Sequence, residues 1–419
     1  MSYDTIRTVL TVIAFAFVAF LTLRADQDSR KNWAMFYATL FVAVALPVVN
    51  KLCMMAGFWS FSAPSTSFCS MPIDLYFLWV VCWGVVPIFF LQYKQPFIVI
   101  VVVLWLDILL MPVLEQAGIL SLSTDWLVGE VALIGLVFVP SYCWSTASYH
   151  NKWVGLRASL QVICIICVFV FGLPMLLQEY GLVDAIDFTI RPILFQLFLI
   201  IAFPGLVAVV DLVQKGKGTP FPYDKTTVLL QTGVYAYIKN PMQWSFTFIF
   251  FPMAVYHDSW YVLLGALISV LYSVTVADVQ EVTDMDSRFG SQWRSYRSQV
   301  PSWYFQWRPL NIPPGTIYLD HNCSQCSKLL EWFQSRKTHN LTIDIAANAP
   351  LEKLSKVAYV DHTGQLYLGV SAIAHALEHI HLSYATLGWF MRFPLISRLL
   401  DAIVYSMAFG PESAACDTD

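Results

Sequence analysis

The chain has 419 residues, 58% of them hydrophobic, 16% aromatic and only 12% charged, with a net charge of −4 at pH 7. Long apolar runs with so few charges mean membrane spans and exclude an ordinary soluble globular protein. The small net charge gives no argument for a nucleic-acid partner, the nine scattered cysteines imply no disulfide framework, and the length predicts two or three domains.

Apolar length predicts nine spans, centred on residues 8–23, 34–49, 75–91, 97–113, 127–144, 158–177, 192–213, 242–256 and 261–279. The first run lacks a small-residue cleavage site and is followed by further spans, so it reads as a span and not as a cleaved signal. Basic residues set the orientation. Arg24, Arg30, Lys31, Lys94, Lys152, Arg157, Lys215, Lys217, Lys225 and Lys239 follow odd-numbered spans; the opposite side has Arg7, Lys51 and Arg191. This predicts an N-terminus outside and a C-terminus in the cytoplasm. Arg288, Arg294, Arg297 and Arg308, after the ninth span, agree with it.

In the first half, Asp74, Asp107 and Glu130 lie in or beside spans. An intramembrane carboxylate is costly and marks a functional site, or else an acid held by a bundle-facing Trp or Tyr. Cys164 and Cys167 form a C-x-x-C among aliphatic residues and read as two small buried hydrophobes. Cys53 and Cys69 fall in one outer loop, where pairing depends on a geometry that sequence does not give. The stretch Met71-Pro72-Ile73-Asp74-Leu75-Tyr76, and Asp107 with Pro112 and Gly118, weakly resemble the carotenoid-cyclase-like membrane domain, without its paired acids after the proline. That resemblance implies a bulky terpenoid-like lipid.

Around the eighth and ninth spans the residue types change. Gly218-Thr-Pro220-x-Pro222 is followed by Gly233-x-Tyr235-x-Tyr237-x-Lys239-Asn240-Pro241-Met242. Past the ninth span comes Phe289-Gly290-x-x-Trp293-x-x-Tyr296-x-x-x-Val300-Pro301. Gly233 permits close backbone approach. Asn240 and Pro241 suit the cap and first position of a helix, and that helix end with Lys239 suits an anionic group. Tyr235 and Tyr237 could wall a ligand, and Glu281 could take hydroxyls or a cationic group. An interfacial aromatic and basic belt accounts for Tyr and Lys alone, but not for these motifs in this order.

Over residues 190–310 these motifs resemble the isoprenylcysteine carboxyl methyltransferase and phospholipid methyltransferase superfamily. The resemblance implies an integral-membrane methyltransferase using S-adenosylmethionine on a lipid-embedded, isoprenoid or thiol acceptor. Its cofactor-site candidates are Gly233, Tyr235, Tyr237, Lys239, Asn240, Pro241, Glu281 and Tyr296. The sequence departs from the pattern in four places: Lys239 stands for the usual Arg, Gln243 for a Tyr, Val282 for the second acid of a Glu pair, and Trp293 for the first Tyr of the last motif. Lysine is a point charge and does not grip a carboxylate bidentately.

From about residue 312 the chain becomes mixed and charged. A strand at 316–319, Cys323-x-x-Cys326 and an amphipathic helix to Arg336 form a thioredoxin-like pattern; a hairpin at 357–368 and further helices follow. Tyr318-x-Asp320-x-x-Cys323-x-x-Cys326, Asp361-x-x-Gly364-x-x-Tyr367-x-Gly369, Trp389, Pro394, Asp401 and Tyr405 resemble the DCC-type thiol-disulfide oxidoreductases. By that resemblance Cys323 attacks and Cys326 resolves, with a redox partner the sequence does not name. No second cysteine pair completes a zinc site, and His375-x-x-Glu378-His379 lacks a third ligand, so no metal is expected.

The expectation is a polytopic α-helical membrane protein of about nine spans carrying a C-terminal cytoplasmic α/β thioredoxin-like domain. Its domains run 1–180 (N-terminal membrane domain), 181–310 (methyltransferase) and 311–419 (DCC thioredoxin-like). Two other readings stand beside the methyltransferase: a membrane-anchored oxidoreductase with a degenerate methyltransferase region, and a terpenoid-cyclising or lipid-binding membrane protein.

Overall fold

A long apolar stretch in water has no stable fold of its own, and in lipid only a helix satisfies every backbone group. The computed structural model follows that rule; it describes residues 29–62, 67–90, 96–179, 181–182, 191–220, 225–320, 324–350 and 357–408. Packing divides the chain into two units, one up to residue 184 and one from residue 185.

The first unit holds α1 (Ser29–Met55), α2 (Ile73–Val80), α3 (Pro96–Gln116), α4 (Trp126–Leu133), α5 (Val139–Tyr149), α6 (Val154–Ile166) and α7 (Leu173–Glu179). A π turn at Ile134–Phe138 joins α4 to α5 without a break. Short strands β1 (Trp59–Phe61), β2 (Ser67–Phe68), β3 (Met71–Pro72) and β4 (Leu120–Leu122) lie between helices, with β1 antiparallel to β4 and β2 to β3. The core forms where α1 meets α5: Trp144 stacks on Tyr37 at 4.9 Å and the Ser141 hydroxyl donates to the Ala38 carbonyl. Asp107 and Glu130 are buried side by side, and the Trp79 indole donates to Asp107 at 3.1 Å. No disulfide links Cys53 to Cys69; the Cys53 thiol points to the Gly129 carbonyl. Cys164 is buried on α6, as its aliphatic neighbours imply.

The second unit begins with α8 (Arg191–Gln214), then α9 (Pro241–Phe248), α10 (Phe250–Tyr256), α11 (Leu263–Tyr272) and α12 (Asp278–Gln299). Among the described residues five helices are long and apolar enough to cross a membrane: Arg30–Met55, Ile98–Gln116, Trp126–Tyr149, Val154–Gly172 and Pro192–Gln214. The expected spans at 75–91 and 261–279 correspond to shorter apolar helices, Ile73–Phe89 and Trp260–Thr275. The one expected at 242–256 is broken at Ile249. Pro252 has no N–H to give the Phe248 carbonyl, so the ladder fails there. The span expected at 8–23 lies outside the described residues.

The same unit continues with β5 (Gly315–Leu319), α13 (Ser324–Gln334), β6 (Leu341–Ile345), β7 (Ala358–Val360), β8 (Leu366–Leu368), α14 (Val370–Leu377), α15 (Leu382–Met391) and α16 (Pro394–Ala408). The sheet order is β6-β5-β7-β8, with β6 parallel to β5, and β7 antiparallel to both β5 and β8. β5 alternates buried and half-buried residues, putting Ile317 and Leu319 into a core with Phe333, Ala372 and Ala376. Asp361 shapes the β7–β8 turn: its Oδ1 accepts from the Thr363 and Gln365 amides, and Gly364 takes φ +83°.

Candidate functional site

The loop from Gln231 to Asn240 runs between α8 and α9 and is almost wholly buried. Gly233–Ala236 forms one 3₁₀ turn, and Val234, Ala236, Tyr237 and Ile238 are inaccessible to solvent. Three backbone bonds pin it to the segment after α12: Lys239 N–H to Pro301, Gln306 N–H to Tyr237 and Leu310 N–H to Ala236. The two sequence motifs therefore meet. The Tyr296 hydroxyl donates to the Tyr235 carbonyl at 2.9 Å, and Trp293, Tyr296 and Val300 form a small core with Leu229, Met285, Phe289 and Leu310. Gly290 sits inside α12 at φ +50°, ψ −120°, a conformation reserved for glycine, and there the helix kinks.

A cluster of charge lies where the motifs touch. Lys239 Nζ is 3.8 Å from Asp278 Oδ1 and 5.6 Å from the Trp293 ring centre. Arg297 approaches Asp278 Oδ2 at 3.6 Å. Asp278 and Arg297 are 41% and 40% exposed, while Lys239 behind them is 3% exposed. Two cations thus share one acid at a partly exposed mouth, with the buried Trp293 indole behind it. Such a set matches a small zwitterion: the cations suit a carboxylate, and the acid suits an ammonium or vicinal hydroxyls.

On the other side of the loop is a buried ionic network. Arg392 makes two hydrogen bonds to Asp211, at 2.5 and 3.0 Å, and an ion-pair contact with Glu378 Oε1 at 2.8 Å. Lys215 adds a contact to Asp211 at 3.4 Å and donates to Thr232. Glu378 Oε2 accepts the Gly233 amide at 3.1 Å, and its backbone carbonyl accepts the Tyr237 hydroxyl at 2.9 Å. A Cβ at Gly233, which has φ +66°, would collide with Asp211 and Arg392. Burial works to raise Glu378, but Arg392 and then Lys215 outweigh it and hold the carboxyl well below its ordinary range. Burial, with Lys215, pushes His375 down to about 4, so the ring is neutral.

The predicted residues divide accordingly. Lys239 and Tyr296 lie at the meeting of the motifs. Gly233 and Tyr237 face Glu378, Arg392 and Trp389; Tyr237 is wholly buried, edge-on to Trp389 at 5.7 Å, with its hydroxyl committed, and so does not wall a ligand cavity. Tyr235 is buried beside Tyr296. Pro241 holds the first position of α9 as expected, but Asn240 makes no side-chain cap bond. Its ψ of 60° departs from the extended backbone that a capping residue adopts. Glu281 falls within α12, and its side chain lies outside the described residues, as does Cys323. Cys326 is half-buried in the first turn of α13, directly after β5. His379 spends both ring nitrogens, on the His339 carbonyl and the Tyr359 hydroxyl, and no metal-binding cluster occurs among the described residues.

Sequence reasoning missed Asp211, Asp278, Arg297, Glu378 and Arg392 as site residues. Asp211 carried a usable signal: it is a carboxylate at the end of an apolar run, of the kind flagged at Asp107.

The apolar helices mark an integral membrane protein, and the charged cluster of Lys239, Asp278 and Arg297 lies among the residues that flank its helical hairpin. Residues 208–292 match the family model for phospholipid methyltransferases, which supports a membrane domain of the methyltransferase superfamily. No curated protein and no solved structure matches the chain.

Proposed function

We propose that the second unit is a methyltransferase using S-adenosylmethionine on a lipid-borne or thiol acceptor. One observation carries this reading: the partly exposed Asp278 and Arg297 converge on the buried Lys239 and Trp293, inside and beside the matched stretch. Their donor set fits the cofactor. Lys239 and Arg297 would take its carboxylate and Asp278 its ammonium or ribose hydroxyls, with Glu281 a further acid on the same helix. The bound cofactor supplies an electrophilic methyl group. The chain's work is to hold both reactants in line and to exclude water, and the buried loop behind Lys239 is suited to that. The excess of basic residues after odd-numbered spans supports a cytoplasmic face for this mouth.

Calorimetry of the full chain with S-adenosylmethionine tests the reading. Lys239→Ala and Asp278→Ala should each weaken binding about tenfold or more, as expected for loss of a charge-assisted contact of about 1.5–3 kcal/mol. Absence of binding by the wild type, or unchanged binding in both variants, overturns it.

A second activity has its own support. The order β6-β5-β7-β8 with one parallel and two antiparallel pairings, and Cys326 in the first turn of the helix after β5, supports the reading of a thioredoxin-like domain. In this reading residues 311–419 are a DCC-type domain in which Cys323 attacks a partner disulfide and Cys326 resolves it, two thiols giving up two electrons and two protons to the partner. Cys323→Ser should abolish exchange with a small disulfide in the full chain; undiminished exchange would remove the assignment.

A further inference from the structure

The last two helices carry more apolar surface than a water-soluble domain leaves uncovered. On α16, Leu395, Leu399 and Ile403 are 81%, 61% and 39% exposed, at the i, i+4, i+8 spacing of one helix face. On α15, Leu387 and Phe390 are 48% and 50% exposed. These helices also meet a membrane span. Phe203 of α8 lies 6.4 Å from Phe390 and 5.9 Å from Phe393. Phe203 is the midpoint of the candidate span Pro192–Gln214, about 16 Å from either end at 1.5 Å per residue. The hydrocarbon core is about 30 Å thick, so this contact falls near its centre.

An apolar cleft of about 540 Å³ opens between α8, α9 and α15 at this level. Leu199, Phe203, Trp244, Phe305, Leu387 and Phe390 line it, Thr386 contributes a hydroxyl, and no charged side chain borders it. Leu199 and Ile200, on its α8 wall, are 48% and 66% exposed on the face the span turns outward. Trp307, exposed and stacked on His381 at 4.7 Å, accepts the Leu382 amide at the start of α15. An amphipathic aromatic there suits the level of lipid headgroups.

We infer that the outer faces of α15 and α16 are embedded in the bilayer and that a hydrocarbon chain of a bilayer lipid occupies the cleft they form with α8. The continuity of the cleft with the mid-depth of a span fixes the occupant. Whatever lies beside Phe203 and Ile200 lies in hydrocarbon, and a charged or water-filled cleft there would be expensive. The C-terminal domain then does not float free of the membrane. Its sheet faces the aqueous phase while its final helices are immersed. Asp401 of α16 turns inward and accepts the Val370 amide of the domain itself, and Arg398, exposed at the edge of the apolar face, has a side chain long enough to snorkel to the headgroups. The inference does not depend on methyl transfer.

The test uses the full chain in nanodiscs containing a phosphatidylcholine with a photoreactive diazirine near the end of one acyl chain. Label should appear on peptides from α15 and α16 as well as on the outward face of α8 at Leu197 and Ile200. In the double variant Leu387→Arg/Leu399→Arg the label on α15 and α16 should fall to background, while the α8 label, which reports correct insertion, persists. Wild-type label on α8 with none on α15 or α16 overturns the inference. Should sedimentation of that same sample show a dimer, a second copy and not lipid covers the face, which also overturns it. If the double variant does not insert, the wild-type map alone decides.

Discussion

Arg392 faces two acids that water never reaches. Asp211 and Glu378 are buried; two of the guanidinium's donors are spent on Asp211, and Glu378 is held as an ion pair. Such a network adds little net stability over well-packed apolar groups, but removing its cation leaves two anions in a low-dielectric interior. Arg392→Ala should therefore cost about 3–5 kcal/mol, read as a lower denaturant midpoint in detergent. Arg392→Lys should recover part of the charge and none of the bidentate geometry. The neighbouring His375 gives a pH dependence. Its folded value is about 4 against an ordinary 6.5, so the unfolded chain binds the extra proton first as pH falls. The stability carried by the neutral ring is complete above pH 6.5 and is lost progressively down to about 4. Glu378, held below its ordinary 4.5, adds a loss that begins only under that value. His375→Gln should flatten the slope between pH 6.5 and 4.5 in thermal unfolding; an unchanged slope would place its origin elsewhere. The pairing of Arg392 with Asp211 is not legible in sequence, because the two are 181 residues apart and only the fold closes that loop.

At the scale of elements, α12 shows what a motif encodes. Gly290 looked like one position of a family pattern; in the structure it is the residue whose φ of +50° and ψ of −120° let the helix kink and bring Trp293 and Tyr296 under the loop. An added Cβ at Gly290 meets nothing within 4 Å, so any cost is backbone strain alone. Gly290→Ala should cost about 1–3 kcal/mol and shift the indole fluorescence of Trp293; a neutral effect would mean that the kink relaxes freely. The order of the motifs, the apolar length of five helices and the strand–helix–hairpin run after residue 312 were all readable, because each is local. The break at Ile249 was readable too, from Pro252, but apolar length alone hid it. β6 escaped notice: Leu341–Ile345 is short, and its partner β5 lies 26 residues upstream in register. Asn240 failed as a cap because sequence gives the residue type and not its ψ.

At the scale of the molecule, the matched stretch 208–292 is less than the whole of its own core. Val207, Ala208, Leu212, Leu230 and the loop residues Val234–Ile238 pack with Ile312, Ala385 and Trp389 in one buried cluster. Gly233 and Tyr237 find hydrogen-bond partners on Glu378, and Asp211 finds its guanidinium on Arg392. A methyltransferase region ending at residue 311 would expose that face, strand the Asp211 carboxylate beside Lys215 alone, and leave a cavity where Trp389 had been. Loss of a buried Trp by itself costs about 3–5 kcal/mol, against a total stability of about 5–15 kcal/mol for a domain. A chain stopped after residue 311 should therefore insert into membranes yet fail to order the loop at 231–240. Limited proteolysis should cut there, and calorimetry should show no S-adenosylmethionine binding, although Lys239, Asp278 and Arg297 are all retained. Supplying residues 312–419 as a separate chain should restore protection of the loop if the shared core is the cause. A truncated chain that protects the loop and binds the cofactor as the full chain does would show that the C-terminal domain is an appendage and not part of the site's support.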